Sequence, residues 1–224
     1  MRKTAILLCV LSLFVLSSCN QEPSEKVTRY HENHEIIGSE KEELLSNLSE
    51  TIFETSERSN ITAEEAQVDV NYEVKEIVVA PGRYQIIRHA SGTVSIQDLT
   101  GGLLYRGVLG SSYGVNSITV DLNNAHIIRV DGGQDTVYVQ PVATQLSTEL
   151  TAGIWEVGLD IEEGEYTVTA PNGVGYLQQF DPTKEPILFE VIGGNFASTT
   201  SKIQLRKGQK LKITGISMVQ FLPL

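Results

Sequence analysis

The chain has little cysteine. Only Cys9 and Cys19 occur among its 224 residues, both within the first 19 positions. Everything beyond lacks a thiol, which excludes disulfides, cysteine catalysis and cysteine metal sites. Stability must then come from apolar burial. Basic residues are also few: 17 Lys and Arg stand against 28 Asp and Glu, a formal charge of −11. Nucleic acid is not an expected partner, because it requires a basic footprint. No apolar run approaches the roughly 20 residues that span a bilayer; the longest, Ala5 to Leu16, is interrupted by Ser12. Aromatic residues make up 7 %, with Trp155 the single tryptophan, so most are expected in the core.

What is present begins with Met1-Arg2-Lys3, the apolar run, and Leu16-Ser17-Ser18-Cys19. A basic start, a short apolar segment and a small-residue cleavage site describe a secretory signal. Leu16-Ser17-Ser18-Cys19 resembles the lipobox of bacterial lipoproteins. The resemblance implies a signal peptide over 1–18 and a diacylglyceryl group on Cys19, which becomes the mature N-terminus. The partner is then membrane lipid through Cys19, at the extracellular face of a cell membrane, Gram-positive by the company this motif keeps below. The plainer alternative is an ordinary cleaved signal with a chance cysteine.

Residues 19–69 read as an acidic linker. From Gln21 to Glu65 there are 12 Glu against Lys26, Arg29, Lys41 and Arg58, a net of −8. Such composition predicts disorder. One exception is 42–57, where Leu44, Leu45, Leu48, Ile52 and Phe53 recur at helical spacing. As a flexible coil, 50 residues from Asn20 to Asp69 would span about 40 Å, forming a stalk.

From Val70 the period becomes two, as in Ser117-Ile118-Thr119-Val120-Asp121-Leu122, which signals half-buried strands. The segment also repeats. Pro81-Gly82-Arg83-Tyr84 is answered 82 residues on by Glu163-Gly164-Glu165-Tyr166. Ile128-Arg129-Val130 is answered 83 residues on by Leu211-Lys212-Ile213, and Gly132 by Gly215. The fold class expected is all-β: two tandem homologous small β-sandwich or barrel-like domains, over 70–141 and 153–224. Pro81-Gly82 suits a type II turn with Gly82 at positive φ. The polar join over 143–152 is the expected protease-sensitive point. "GIWEVGLDIEEGEYTV", residues 153–168, resembles the opening of a small β-domain of Gram-positive surface proteins and lipoproteins, through Trp155, Val157, Gly158, Asp160, Ile161, Gly164 and Tyr166. The resemblance implies export and brings no established activity.

Several residues invite chemistry. Gly110-Ser111-Ser112-Tyr113-Gly114 fits G-x-S-x-G, the nucleophile elbow of serine hydrolases. An elbow needs a strand, a strained turn and a helix, whereas Val115 to Leu122 alternates like a strand. Asp121 and His126 follow in triad order but crowd onto one expected hairpin. The aligned stretch Gly193-Gly194-Asn195-Phe196-Ala197 has no serine at its centre. His31 and His34, with Glu32 and Glu35, would share a helix face and could hold zinc or copper, but they lie in the linker; His89 and His126 are isolated. Asp131-Gly132-Gly133-Gln134-Asp135 reads as a calcium loop or, as well, a hairpin turn. Tyr105, Tyr113, Trp155, Tyr176 and Phe180 could form a sugar-stacking face. The reading that follows is a non-enzymatic, lipid-anchored surface protein without cofactor or metal, binding an unknown extracellular ligand or protein or serving a structural role. A surface carbohydrate-binding module and an envelope serine hydrolase using Ser112 are the alternatives.

Overall fold

A computed structural model describes residues 22–54, 57–111, 114–195 and 197–224. Cys19, the lipobox, Ser112 and Tyr113 lie outside these. The described chain is all-β in class, as its alternation predicts. Its two α-helices, α1 (Glu25–Asn33) and α2 (Ser39–Leu44), and a 3₁₀ turn at Glu50–Phe53 precede the strands. No helix among the described residues is long and apolar enough to cross a membrane.

The first half contributes β1 (Ala66–Asn71), β2 (Lys75–Ile77), β3 (Gly82–Ile87), β4 (Gly92–Asp98), β5 (Leu103–Leu109), β6 (Ser117–Leu122), β7 (His126–Asp131) and β8 (Gln134–Pro141). The second contributes β9 (Glu149–Glu156), β10 (Gly164–Thr169), β11 (Gly173–Asp181), β12 (Lys184–Gly193), β13 (Ser201–Leu205) and β14 (Lys210–Pro223). In the first half one sheet runs β1-β8-β3-β6 and another β2-β7-β4-β5. Side chains of both sheets, among them Tyr84, Val94, Ile96, Val120 and Val137, share one core.

The second half repeats these pairings. Residues 218–223 of β14 pair with β9 and β10, and β10 with β13. Residues 210–214 of β14 pair with β9 and β11, and β11 with β12. Thus β9 and β14 each serve both sheets, where the first half uses two strands apiece. β14 shifts register between Ile213 and Met218, around Gly215 at φ 77°, a conformation that glycine adopts at little cost. Its own core includes Val157, Tyr166, Leu177, Val191, Leu211 and Phe221. The matched details extend to side chains. Tyr84 and Tyr166 pair across strands with Pro141 and Pro223. Each hydroxyl donates to the carbonyl four residues back, Ala80 at 2.9 Å and Glu162 at 3.0 Å.

The halves are not beads on a string. β6 pairs in parallel with β9 at Thr119 and Gly153, which merges two sheets into one of ten strands. A side chain at Gly153 would collide with the Thr119 carbonyl, so this contact requires glycine. Ala152, Ile154 and Phe180 of the second half join the first core.

Five expectations are corrected. The acidic linker is largely ordered: residues 22–54 form a strap across both halves. Its sparse apolar residues and its backbone supply the cause. Ile36 N donates to Leu188 O at 2.9 Å, and Glu35 bridges Phe189 on β12. Ser49 N donates to Leu103 O at 2.9 Å, Leu48 bridges Leu103 on β5, and Ile52 enters the first core. β5 and β12 are edge strands of the four-stranded groups, and the strap covers them, satisfying groups that would otherwise face water or another chain. The single helix expected at 42–57 is two pieces, because α2 stops at Leu44 and Asn47 turns left-handed at φ 57° before the 3₁₀ turn; residues 55–56 lie outside the description. Gly82 has no positive φ and opens β3. Its missing Cβ instead admits Ala63, whose Cβ would lie 2.9 Å away. Pairing begins at Ala66 and Glu149, before the expected 70 and 153. The join over 143–152 is tied down, with Ser147 N on Asp160 O at 2.8 Å and Phe221 N on Thr148 O at 2.8 Å.

Candidate functional site

Strand alternation sets the chemistry between the halves. On β14, Leu211 and Ile213 point into the second core, so Lys210, Lys212 and Thr214 project from the opposite face. The aligned residue of the first half, Arg129, keeps this outward position in water, with 47 % of its side chain exposed. Lys212 is only 7 % exposed, because the first half and the strap close over it. A cavity of about 300 Å³ remains there. Leu44, Leu45 and Leu48 of the strap and Leu103 of β5 form apolar walls. Gln178 on β11, the cross-strand partner of Lys212, and Thr214 supply polar groups. Exposed Arg106 and Glu43 complete the lining.

Among the described residues, the Lys212 ammonium has neither ion pair nor hydrogen bond. Its nearest aromatic is Phe180, 6.0 Å from nitrogen to ring centre. Burial alone pushes its pKa down to about 8, since a low-dielectric site disfavours the charged form. Gln178 is 2 % exposed, and its Oε1 is buried without a donor. Such a group is costly unless something supplies a hydrogen bond.

Beside this cavity lies a closed ion network. Asp160, fully buried, accepts Arg58 Nη1 at 2.9 Å and stands 2.9 Å from Arg83 Nη2. Asp121 accepts Arg83 Nη1 at 2.9 Å and Arg58 Nη2 at 2.6 Å. Glu156 holds Lys210 at 2.6 Å. Arg58 of the strap side, Arg83 and Asp121 of the first half and Asp160 of the second thus meet in one cluster. These charges are paired with one another, although Arg83 Nη2 makes no hydrogen bond, and the cluster fastens parts together.

Against this frame the sequence candidates disperse. Ser112 lies outside the description, and its flanks run from β5 into β6, strand to strand. Asp121 belongs to the ion network. His126 is buried, its Nδ1 accepting Asn123 N at 3.2 Å and its Nε2 3.1 Å from Thr51 Oγ1. His31 lies in α1, but His34 ends the helix at φ 53°, so they do not share a helix face. His89 lies beside Asp135, whose carboxylate takes the backbone N–H groups of His89 and Ala90 at 2.9 and 2.6 Å. Asp131 to Asp135 is a hairpin turn through Gly132 and Gly133, both at positive φ. Tyr105 and Phe180 are core residues. Trp155 is half-buried, with Arg83 stacked 4.8 Å from its ring centre and its Nε1 on Thr151 O at 2.8 Å. The described aromatics, Tyr176 included, do not assemble on one exposed face. Sequence reading missed Lys212, Gln178, Arg58 and Asp160 as a set. The signal for Lys212 was a lysine between Leu211 and Ile213, which reads as a solvent face.

No protein-family model matches the chain, and no curated protein matches it. Among solved structures the chain is similar to a turret protein of the Sulfolobus turreted icosahedral virus, at 9 % identity and a TM-score of 0.21. The match covers 72 % of this chain and 97 % of the viral one. An overlap of that TM-score carries no argument about function.

Proposed function

We propose that the chain is an exported lipoprotein, held at the outer face of a cell membrane by a diacylglyceryl group on Cys19, which works by binding rather than turnover. The observation that carries the reading is the order Met1-Arg2-Lys3, apolar run, Leu16-Ser17-Ser18-Cys19, placed directly before an ordered body. The strap modifies the picture of a stalk. Helix α1 begins at Glu25 with Ser24 as its cap, so only Asn20 to Pro23 separate the anchor from that cap. Five steps of extended chain reach about 18 Å, well short of the coil length expected from composition. The two sandwiches therefore ride close to the bilayer as one welded body. Two acyl chains hold such a body stably without a membrane helix. The chemistry at the junction supports binding: a nearly buried cation, an amide and leucine walls around a cleft of about 300 Å³ that opens to solvent beside Arg106 and Glu43. Mass spectrometry of the mature N-terminal peptide tests the anchor, with the expected peptide starting at a diacylglyceryl Cys19. An unmodified thiol at Cys19, or a Cys19→Ala protein retained in the membrane as fully as wild type, overturns it.

A further inference from the structure

We infer that the cavity between the two halves is a binding site for a small apolar 2-hydroxycarboxylate, with its carboxylate on the Lys212 ammonium, its hydroxyl on Gln178 and its apolar body against Leu45 and Leu48. The inference deepens the binding reading above and is independent of the lipid anchor.

Two unmet needs converge in this cavity. Lys212 is a nearly buried cation with no anion on it. A lone buried charge is expensive, and a ligand anion removes most of that cost. Gln178 Oε1 requires a donor, which a carboxylate cannot supply. A hydroxyl next to the carboxylate can, and Thr214 offers a further polar contact on the same wall. The rest of the lining is leucine, which favours a branched or straight hydrocarbon body over a second charge.

Charge decides between a hydroxy acid and an amino acid. The charged groups around the site are Arg106 from β5, Glu43 from the strap and, two residues back along β14, Lys210 already paired with Glu156. Glu43 is exposed and makes no ion pair with Lys212. An α-ammonium would sit beside Lys212 with no buried carboxylate to receive it, so a neutral hydroxyl fits where an ammonium does not. The depressed pKa of Lys212 adds a signature. An anion stabilises the protonated lysine, so affinity falls as pH rises past about 8 and the ammonium is lost.

The test uses the full mature chain and three probes of one shape: 2-hydroxy-4-methylpentanoate, 4-methylpentanoate and leucine, titrated by NMR at neutral pH. The expected result is saturable binding of the hydroxy acid with Kd of about 1 mM or tighter. Loss of the hydroxyl should weaken binding about three- to tenfold, the scale of one hydrogen bond, and leucine should bind weakest. Lys212→Met should lower hydroxy-acid affinity at least about tenfold while leaving the protein folded, because the substitution keeps the apolar stem and removes a buried charge. Should that variant not fold, wild-type affinity compared at pH 7 and about pH 9.5 replaces it, with weaker binding expected at the higher value. No saturable binding of the hydroxy acid, leucine binding as tightly, or an affinity indifferent to both Lys212→Met and pH would overturn the inference. None of these outcomes touches the mass of the Cys19 peptide, so failure of the site and failure of the anchor are distinguishable.

Discussion

His126 shows how a single residue ties the strap to the first sandwich. Its Nδ1 accepts a backbone N–H from Asn123, so the ring proton sits on Nε2, facing Thr51 Oγ1. A protonated ring would oppose N–H to N–H at Nδ1. Burial lowers the pKa of His126 below its ordinary 6.5, and the attraction of Glu54 and Asp98 offsets that only in part. The sign follows. The unfolded chain takes up a proton near pH 6.5, whereas the folded chain resists until lower pH, so acid favours unfolding across that window. Above pH 6.5 the stabilisation is complete, and it declines as pH falls toward the folded value. Thermal denaturation should therefore show wild type losing melting temperature below about pH 6.5, with a shallower loss in His126→Gln. Equal slopes for the two proteins would mean that His126 does not titrate differently on folding. Asp98, one of the two carboxylates acting on His126, accepts Ser49 Oγ, Thr100 and Gly102, which hold it well below the usual carboxylate range. Its own stabilisation is lost only as pH falls through the unfolded carboxylate value of about 3.9 and below, so its slope lies on the acid side of the one His126 starts at about pH 6.5.

The elements differ in how plainly the sequence announces them. Strands β6, β7 and β14 were legible because Ile118, Val120, Ile128 and Ile213 alternate with polar residues, and the 82- and 83-residue offsets align them between the halves. The same offsets announced a repeat but not the order in which its strands pair. A matching turn was overlooked: Asp98 Oδ1 binds Thr100 N and Oγ1, and Asp181 Oδ1 binds Thr183 N and Oγ1 in the same way. The strap was not legible. Its nine glutamates report solvation, and composition cannot reveal that edge strands far along the chain, at Leu103 and Leu188, will accept its backbone. The cavity was equally hidden, since Lys212 and Arg129 look alike until one half covers the other. If the strap is an integral element, the amides of Ile36 and Ser49 should exchange with solvent as slowly as those of neighbouring strands. Ile52→Ala, at a site 2 % exposed, should cost about 2–4 kcal/mol in denaturant unfolding. Exchange of both amides at unprotected rates, together with an unchanged Ile52→Ala midpoint, would return the segment to a loose linker.

At the scale of the whole molecule, the strap, the ten-stranded sheet and the Arg58–Arg83–Asp121–Asp160 cluster act on the same joint. Breaking a buried ion pair typically costs about 3–5 kcal/mol, so this joint resists separation of the halves. On the proposed surface anchor, the same architecture fixes what a protease would meet. In a flexible stalk Lys26, Arg29, Lys41 and Arg58 would all be open to trypsin. Cleavage after any of them would free both sandwiches. In the folded chain Arg29 is engaged by Glu25 and Glu35, Lys26 by Glu40 and Arg58 by two buried aspartates, while Lys41 lies within helix α2. Tyr30, whose pKa rises to about 12 through its hydrogen bond with Glu190, pins α1 to β12. Proteolysis requires extended, locally unfolded backbone, and α1 offers little between Ser24 and Asn33. The proposed tether, Asn20-Gln21-Glu22-Pro23, has no lysine or arginine in its sequence. Brief trypsin treatment of intact cells should thus leave the protein cell-bound, whereas a protease without charge preference, cutting in 20–23, should release a body of nearly full size. Prompt tryptic release of a fragment beginning at residue 27, 30, 42 or 59 would show that the sandwiches hang on a stalk and are not clamped beside their anchor.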